Sequence, residues 1–312
     1  MASQSHGFDN TIVFGKETEF GVPAENSSYG SIGVIEEFSP EENRNIVARN
    51  SLGLRAPFSL RQGTNETDAS ISLAVQNGKP FAFALGHVTT VENPDVEGGY
   101  IHTIRPTRAG EQLPSFTAQN HNALLNWTRN YVGGKMDTAT ITASSDDAVT
   151  FESDILFATV EDSTEAPVPV VLDTENFFMF YEGFAELNNQ PFADVTEFEC
   201  EISNNLERRY TLNGKNRADR VQEGNLEITA SLTVDLTSKD VYAQFANGED
   251  LNMKLTLQDQ YDENHKIVIE LLGGKYDTNS ISVTADALQE QELEAVFTDV
   301  VVTAYDTRPN LI

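Results

Sequence analysis

Histidine, cysteine and carboxylate side chains are the groups through which this chain could bind a metal ion or transfer a proton. The histidines show no metal-ligand spacing such as HExxH or HxH. They are His6, His87, His102, His121 and His265. A carboxylate pair suited to acid–base catalysis carries little information here, because the chain contains 49 acidic residues. We therefore predict no catalytic residues, no metal site and no cofactor, and we expect that the protein is not an enzyme.

Cys200 is the only cysteine, so an intramolecular disulfide and a cysteine-based metal cluster are excluded. It lies in an alternating run between Phe198 and Ile202, which predicts a small buried hydrophobe and not a reactive thiol. The glycine pairs at 133–134 and 273–274 lack the spacing of a phosphate-binding loop, and a strand pattern follows each of them. We interpret both pairs as tight turns or β-bulges.

Two short segments concentrate basic residues on an otherwise acidic chain. Both are rich in Asn and Gly and lie between predicted strands, which predicts a strand–loop–strand arm in each. Such an arm favours contact with the acidic surface of another copy of the protein, because Arg pairs with carboxylates in a bidentate manner. The alternative is a loop that only balances local charge. Arm one contains Arg44, Arg49, Arg55 and Arg61, and arm two contains Arg208, Arg209, Lys215, Arg217 and Arg220.

The overall charge is strongly negative. The 49 acidic residues face 20 basic ones, which gives a formal net charge of −29 and a pI near 4.3. Broad nucleic-acid binding is disfavoured, because affinity for phosphate requires clustered Lys and Arg. Two interpretations of the acidity stay open: a solvated surface suited to a very salty, halophilic cytoplasm, which the scarcity of lysine favours, and a surface that repels DNA. No apolar run reaches the roughly 18 residues of a membrane span, and the first ten residues predict no export signal.

The chain repeats itself. GGKMDTATIT at Gly133–Thr142 returns as GGKYDTNSIS at Gly273–Ser282, at an offset of 140. A second set of matches has an offset of 159, and it pairs Asn45 with Asn204, Arg49 with Arg208, Arg61 with Arg220, and Ser72 with Ser231. The change in offset predicts about 19 extra residues in the first copy, in the Pro- and Gly-rich segment around 92–114.

Each copy has the pattern of a mostly β domain. Apolar residues alternate with polar ones at 69–75, 228–234 and 251–257, which predicts strands with one buried face, as in a sandwich or barrel. One helix is predicted in each copy, the first starting near Pro80 and ending at Gly86, the second capped by Ser238 and ending at Gly248. The Pro-containing linker Glu161–Val170 separates a first domain, residues 1–165, from a second, residues 166–312.

The order of these features resembles the tail tube (major tail) proteins of long-tailed, siphovirus-like viruses of bacteria or haloarchaea. In the first copy the matching stretches are FGKETEFGVPA, LPSFTAQNHN and YVGGKMDTATITA. In the second copy, residues 180–236, which begin FYEGFAELNN, match the family's strand, Asn-containing turn, charged arm and returning strand.

The resemblance implies a fold and a function. The fold is two tandem β-sandwich or barrel domains, each with one flanking α-helix, and the two basic arms fall where the family places an arm that grips the next ring. Single-domain members form rings of six subunits, so a duplicated chain would form a homotrimeric ring with pseudo-sixfold symmetry. Stacked rings would form the virion's tail tube, a passive channel through which viral DNA passes without specific binding. The tape measure and terminator would be partners, and synthesis would occur in the host cytoplasm.

Two other classes of function stay open at this point. The chain could be a different virion ring or decoration protein, such as a tail terminator or baseplate ring, in which case its rings would not stack. It could also be a β-rich adhesion module, which the missing export signal disfavours.

Overall fold

The structure, a computed structural model, describes residues 4–164, 166–169, 171–237, 239–283 and 288–312. Positions 165 and 170 of the predicted linker, and the predicted helix cap Ser238, lie outside the described residues. Nearly all regular structure is β, so the predicted mostly β class is confirmed.

The first half of the chain contains one α-helix and the first thirteen strands, with short 3-10 turns at Gly7–Asp9 and Asn26–Ser28. The helix α1 is Lys79–Leu85. The strands are β1 (Asn10–Lys16), β2 (Tyr29–Gly30), β3 (Val34–Asn43), β4 (Val47–Arg49), β5 (Ser59–Arg61), β6 (Glu66–Ala74), β7 (Gly86–Glu92), β8 (Tyr100–Pro106), β9 (Phe116–Asn122), β10 (Trp127–Met136), β11 (Thr138–Ser144), β12 (Thr150–Phe157) and β13 (Thr159–Ser163).

The second half begins with a 3-10 turn at Phe180–Glu182 and contains the second helix, α2, at Asp240–Asn247. Its strands are β14 (Gly183–Leu187), β15 (Gln190–Pro191), β16 (Val195–Ser203), β17 (Glu207–Arg209), β18 (Arg220–Gln222), β19 (Glu227–Asp235), β20 (Leu251–Gln258), β21 (Lys266–Ile281), β22 (Glu290–Phe297) and β23 (Asp299–Asp306).

The alternating patterns form strands for the predicted reason. Along β19, Ile228, Ala230, Leu232 and Val234 are buried while the residues between them face outward. Both predicted helix ends are confirmed. Gly86 and Gly248 end the two helices with φ of 88° and 62°, a region that glycine enters without the penalty of a Cβ atom.

The strand pairing of the first half recurs in the second. Every ladder of the first half, apart from the hairpin β7–β8, has an antiparallel equivalent in the second half. The pairs β1–β2, β1–β9, β9–β10, β10–β13, β3–β6, β6–β12 and β4–β5 correspond in order to β14–β15, β14–β20, β20–β21, β21–β23, β16–β19, β19–β22 and β17–β18. Both β10–β12 and β11–β12 correspond to β21–β22, because β21 spans the equivalents of β10 and β11.

The ladders also fix which residues are equivalent. Ser72 lies opposite Glu152, whereas Thr233 lies opposite Glu292, so Ser72 corresponds to Thr233 and not to Ser231. The bulge after Ile35 likewise matches the bulge after Val195. The offset of 159 read from the sequence was therefore wrong by one or two residues. It was misread because a shift of two along a strand keeps the same residues on the buried face.

The same correction applies to the arms. Asn45 and Asn205 both have positive φ at the arm entrance, 42° and 49°, and the corrected offset pairs Arg49 with Arg209. Arg61 corresponds to Gln222, which faces Glu207 as Arg61 faces Val47. The extra segment of the first half begins earlier than predicted, because it includes all of β7 as well as β8.

The two halves are joined through shared sheets. β11 of the first half pairs with β16 of the second, which makes one continuous sheet in the order β3–β6–β12–β11–β16–β19–β22 and the end of β21. We call it the long sheet. On the other layer, β8 pairs with β23 and extends the sheet β14–β20–β21–β23. The core lies between the layers.

Candidate self-assembly surface

Arm two docks on the first half of its own chain. The Arg208 guanidinium donates to the Thr67 carbonyl at 2.7 Å and pairs with the Asp68 carboxylate. Arg217 lies 3.4 Å from Glu161. The predicted match of basic arm to acidic surface therefore occurs here, but within one chain.

The base of arm two is held by a buried lysine of the first half. The Lys135 ammonium donates to the Val221 carbonyl at 3.0 Å and to the Glu223 carboxylate at 2.7 Å. Burial alone would raise the pKa of Glu223, but the bond from Lys135 and nearby N–H donors lower it below the usual value. Glu223 therefore stays ionised and paired near neutral pH.

Arm one has no such support. Its apolar side chains Ile46, Phe58 and Leu60 are exposed, and Leu60 is 66% exposed while its equivalent Val221 is 2% exposed. Arg44 lies 3.5 Å from Glu42. Within the part of the chain that the structure describes, no ion pair forms at the remaining predicted arm residues Arg49, Arg55, Arg61, Lys215 and Arg220, and Arg209 pairs only with its neighbour Glu207.

The tips of both arms are fully exposed. Leu52 and Leu212 occupy equivalent positions there, and neither side chain contacts the rest of the molecule enough to lose solvent exposure. Both arms therefore present an exposed leucine beside basic residues at equivalent positions.

The internal junction between β11 and β16 is apolar and buried on its inner face and is capped at one end. Ile141 and Cys200 face each other there and are fully buried, and burial raises the pKa of the Cys200 thiol to about 12. At the end of the junction, the Asp137 carbonyl accepts from the Asn204 N–H and the Asp137 carboxylate accepts from the Leu206 N–H, both at 2.7 Å. The predicted buried role of Cys200 is confirmed.

Within the described ranges of the chain, two sheet edges that correspond to this junction have no neighbouring strand. Among the described residues, β3 pairs only with β6, and the end of β21, residues 278–281, pairs only with β22. β3 is the equivalent of β16, and the end of β21 is the equivalent of β11. The two outer strands of the long sheet are therefore the equivalents of the two strands that pair with each other near its centre.

Two cavities lie at equivalent places beside the equivalent strands β16 and β3. One, of about 590 Å³, lies between β14 and β16, is lined by Ala185, Val195 and Phe198, and is bordered by Ala143 from the first half. The other, of about 710 Å³, lies at the equivalent place between β1 and β3 and is lined by Ile12 and Ile35, among others.

A partly buried ion cluster, which the sequence did not indicate, ties the C-terminal segment to the first half. Arg308 pairs with Asp306 at 2.8 Å, with Asp173 at 3.1 Å and with Glu175. Lys79, at the start of α1, lies 3.3 Å from Asp173. The cluster combines three segments, at 79, 173–175 and 306–308, that are far apart in sequence and share no motif, so only the fold brings them together.

His102 completes this cluster. Its Nε2 lies 2.9 Å from the Asp306 carboxylate, and its Nδ1 lies 2.8 Å from the Thr90 hydroxyl. Burial alone would raise the pKa of Asp306, but the hydrogen bonds and charges of His102 and Arg308 lower it. Among the residues described, no three His, Cys, Asp or Glu side chains are grouped so as to hold a metal ion.

Comparison with known families identifies the chain. The family model for phage tail tube proteins matches residues 7–296, which is nearly the whole chain. The chain belongs to the phage tail tube protein family. A search of curated proteins finds no match. Membership gives this tail tube protein a structural role in the virion, in the tail, where it assembles with itself and with other tail proteins. In the described residues, no helix is long and apolar enough to cross a membrane.

Proposed function

We propose that the chain consists of two tandem copies of one tail-tube domain, and that chains join head to tail into closed rings that stack into the tail tube. The single observation that carries the proposal is the pair of free edges, β3 and the end of β21. They correspond to the two strands that join inside the chain. A head-to-tail contact that repeats with a closing rotation forms a ring and leaves no sheet edge unpaired.

Three chains per ring follow from the two halves. If each half occupies one of six equivalent positions, three chains complete a ring with pseudo-sixfold symmetry. The domain boundary at 165/166 fits the end of β13 at Ser163 and the start of β14 at Gly183.

The outer face of the long sheet supports a role as channel wall. Burial raises the pKa of Glu199 there, with Glu197, Glu201 and Glu152 adding to the rise. Most outward side chains of its strands are acidic or hydroxyl groups, and the rows through Glu197 and Glu199 include no Lys or Arg. The polar ones include Glu37, Ser39, Glu41, Ser70, Ser72, Glu152, Thr140, Glu197, Glu199, Glu201, Thr229, Ser231, Glu292, Glu294 and Ser280. The apolar Leu156 and Val296 lie on the same face, and Lys275 ends the row through Glu201. A wall with so few cations offers DNA phosphates little to bind, so DNA can slide through.

The arms support stacking. Their bases are equivalent, but only that of arm two is docked within the chain, whereas both tips project with an exposed leucine and with basic residues. We assign to the tips, with Arg55 and Lys215, the contact to the next ring. The tape measure inside the tube and the terminator at its end are the further partners of such a tube.

Electron microscopy of the purified full chain tests the proposal. We expect rings with three times the mass of one chain and with six similar lobes. We also expect stacks of these rings with a central channel of constant width. Rings that never stack would favour a terminator or baseplate component. A chain that remains monomeric across salt and protein concentrations would contradict the proposal.

The charge of −29 also supports a halophilic setting. At about 1 M salt the Debye length falls to roughly 3 Å, which screens the repulsion among surface carboxylates. We expect the melting temperature to rise as KCl increases from low to molar concentration.

A further inference from the structure

We propose that a second copy of this chain completes the outer edge of β21 with its own β3, in the register that joins β11 to β16 inside one chain. The inference rests on the proposed ring assembly and specifies its contact residue by residue. The occupant is a second copy because the internal junction shows how this edge is filled when its complement is present.

The register follows from the ladder equivalences. At the internal junction, Thr140 lies opposite Glu201 and Ile141 lies opposite Cys200. β11 maps onto β21 by adding 140, because Glu152 and Glu292 hold the same place in the two sheets. β16 maps onto β3 by subtracting 160, because the two bulges coincide.

The mapped junction pairs six residues of each chain. Val283, Ile281 and Asn279 lie opposite Phe38, Pro40 and Glu42 on the inner face. Ser282, Ser280 and Thr278 lie opposite Ser39, Glu41 and Asn43 on the outer face. Thr278–Ile281 already lie in β21, whereas Ser282 and Val283 follow its end and would extend the strand along β3 of the second copy.

The paired side chains are chemically compatible, although the register was derived from geometry alone. Ile281, which is 40% exposed, and the exposed Val283 meet Pro40 and the aromatic ring of Phe38. On the outer face, hydroxyl groups lie opposite Glu41 and Asn43, so no two carboxylates are placed in direct opposition. Pro40 lacks an N–H, so the ladder forgoes at most one hydrogen bond there.

The chain-to-chain junction is more polar than the internal one at a single place. Where the internal junction has Ala139 opposite Ile202, the mapped junction has Asn279 opposite Glu42. Asn279 already accepts a hydrogen bond from the Gln291 amide at 2.8 Å, which leaves its own amide N–H groups to donate to Glu42. Glu42 also pairs with Arg129 of its own chain.

Arm one then takes the place that arm two occupies inside the chain. By equivalence with Asp137, Asp277 accepts from the N–H groups of Arg44 and Ile46 of the second copy. By equivalence with Lys135, Lys275 donates to the Leu60 carbonyl. In the single chain the Lys275 side chain is 58% exposed, whereas the equivalent Lys135 is 4% exposed. The Lys275 ammonium there pairs with Asp250 at 2.8 Å and donates to the Gly248 carbonyl at 2.6 Å, and it exchanges these exposed partners for the Leu60 carbonyl on assembly.

The cavity beside β3 agrees with this assignment. Its equivalent is bordered by Ala143, and the mapped junction places Val283 of the second copy at that border. The larger Val283 side chain suits the larger of the two cavities.

Disulfide trapping tests the register in the full chain. Directly opposed residues of an antiparallel pair have Cα atoms about 4.5–5.5 Å apart, within the roughly 4.4–6.8 Å that a disulfide spans. The variant Ser280→Cys/Glu41→Cys should form covalent multimers on mild oxidation, in a ladder that ends at the closed ring. Thr140→Cys/Glu201→Cys is the matched control, which should close within one chain and add no mass. Ser280→Cys/Glu37→Cys places the thiols four residues out of register, about 13 Å apart, and should not cross-link.

The outcomes separate the junction from the ring. If rings form but Ser280→Cys/Glu41→Cys yields no species heavier than one chain while the internal control closes, the register is wrong and the ring proposal stands. If the out-of-register pair cross-links as efficiently, the register is also wrong. If no assembly forms under any salt condition, both proposals fail.

Discussion

Ile141 and Ile281 are the same residue at equivalent positions of the two halves, but Ile141 is fully buried and Ile281 is 40% exposed. Ile141 lies opposite Phe151 of β12, and Ile281 lies opposite Gln291 of the equivalent strand β22. The difference arises because β16 covers the edge beside Ile141, whereas β21 has no neighbour on that side among the described residues.

A charge introduced at Ile281 should therefore affect assembly, whereas a charge introduced at Ile141 should affect the stability of the fold. Ile281→Asp should change the stability of the single chain by less than about 1 kcal/mol, because the site is solvent-accessible, yet it should abolish assembly. Ile141→Asp should destabilise the fold by about 4 kcal/mol or more, because it buries an unpaired charge. Thermal melting and sedimentation distinguish the two. Normal assembly of Ile281→Asp would contradict a role for this edge.

The arm tips should control stacking without affecting rings. The double variant Leu52→Ser/Leu212→Ser removes the two exposed leucines. Rings should still form, because neither side chain supports the fold, but they should stay single because the inter-ring contact is lost. Leu125→Ser is the control, because Leu125 is also exposed but lies on the turn between β9 and β10. Tube length measured by electron microscopy decides. Tubes of normal length in the double variant would remove the tips from the inter-ring contact.

The glycine at the β10 bulge should be required for a conformational and a steric reason. Gly133 has φ of 70°, and a Cβ atom there would lie 2.7 Å from the Ala158 Cβ. Gly133→Ala should lower the free energy of unfolding by about 2–3 kcal/mol, of which about 1 kcal/mol is the cost of holding alanine at a positive φ. Gly110→Ala measures that cost alone, because Gly110 has φ of 93° with open space around it. Equal melting temperatures for the two variants would show that the contact with Ala158 is unimportant.

Sequence patterns predicted the strands and helix ends of this fold correctly, but they predicted the alignment of the two copies less well. The period-two runs and the helix ends at Gly86 and Gly248 were sufficient because each depends on local geometry. The bulge at Gly133 was also predictable, from a glycine pair that precedes a strand. The offset between copies was misread by two residues at Ser72, because a shift of two preserves the buried face and only the ladder partners reveal it.

The candidate surface was predictable only in part. Clustered arginines indicated the arms, but the sequence could not show that Arg208 docks on Asp68 of the same chain, since their distance in sequence carries no pattern. The free edges were not predictable either. Whether β3 has a neighbour depends on the pairing order of the whole sheet, which long-range contacts decide.

Reversing charge on the outer face of the long sheet should make the tube retain DNA. Glu199→Lys/Glu201→Lys places cations on the proposed channel wall, and assembled tubes should then sediment together with short duplex DNA at low salt, with retention falling steeply as salt rises. Asp262→Lys/Glu263→Lys, on the β20–β21 turn, makes the same charge change elsewhere and should retain little DNA. Equal retention by both variants would argue against this face as the channel wall.

The stability of the chain should fall in acid through Asp306. The pKa of this carboxyl is lowered in the folded chain, so its contribution is complete above the unfolded value of about 4 and is lost as the pH falls through the folded pKa. Asp306→Asn should lower the free energy of unfolding by about 1–3 kcal/mol at pH 7, because the charge between His102 and Arg308 is lost while Arg308 keeps Asp173 and Glu175.

The difference in free energy of unfolding between the parent and Asp306→Asn should become smaller below about pH 4. Protonation of Asp306 in the parent removes the same charge that the substitution removes. Glu97→Gln, at an exposed position, serves as the control and should match the parent at every pH. Denaturant unfolding at a series of pH values measures both effects. A difference that stays constant from pH 7 to pH 3 would show that Asp306 contributes by packing and not by its charge.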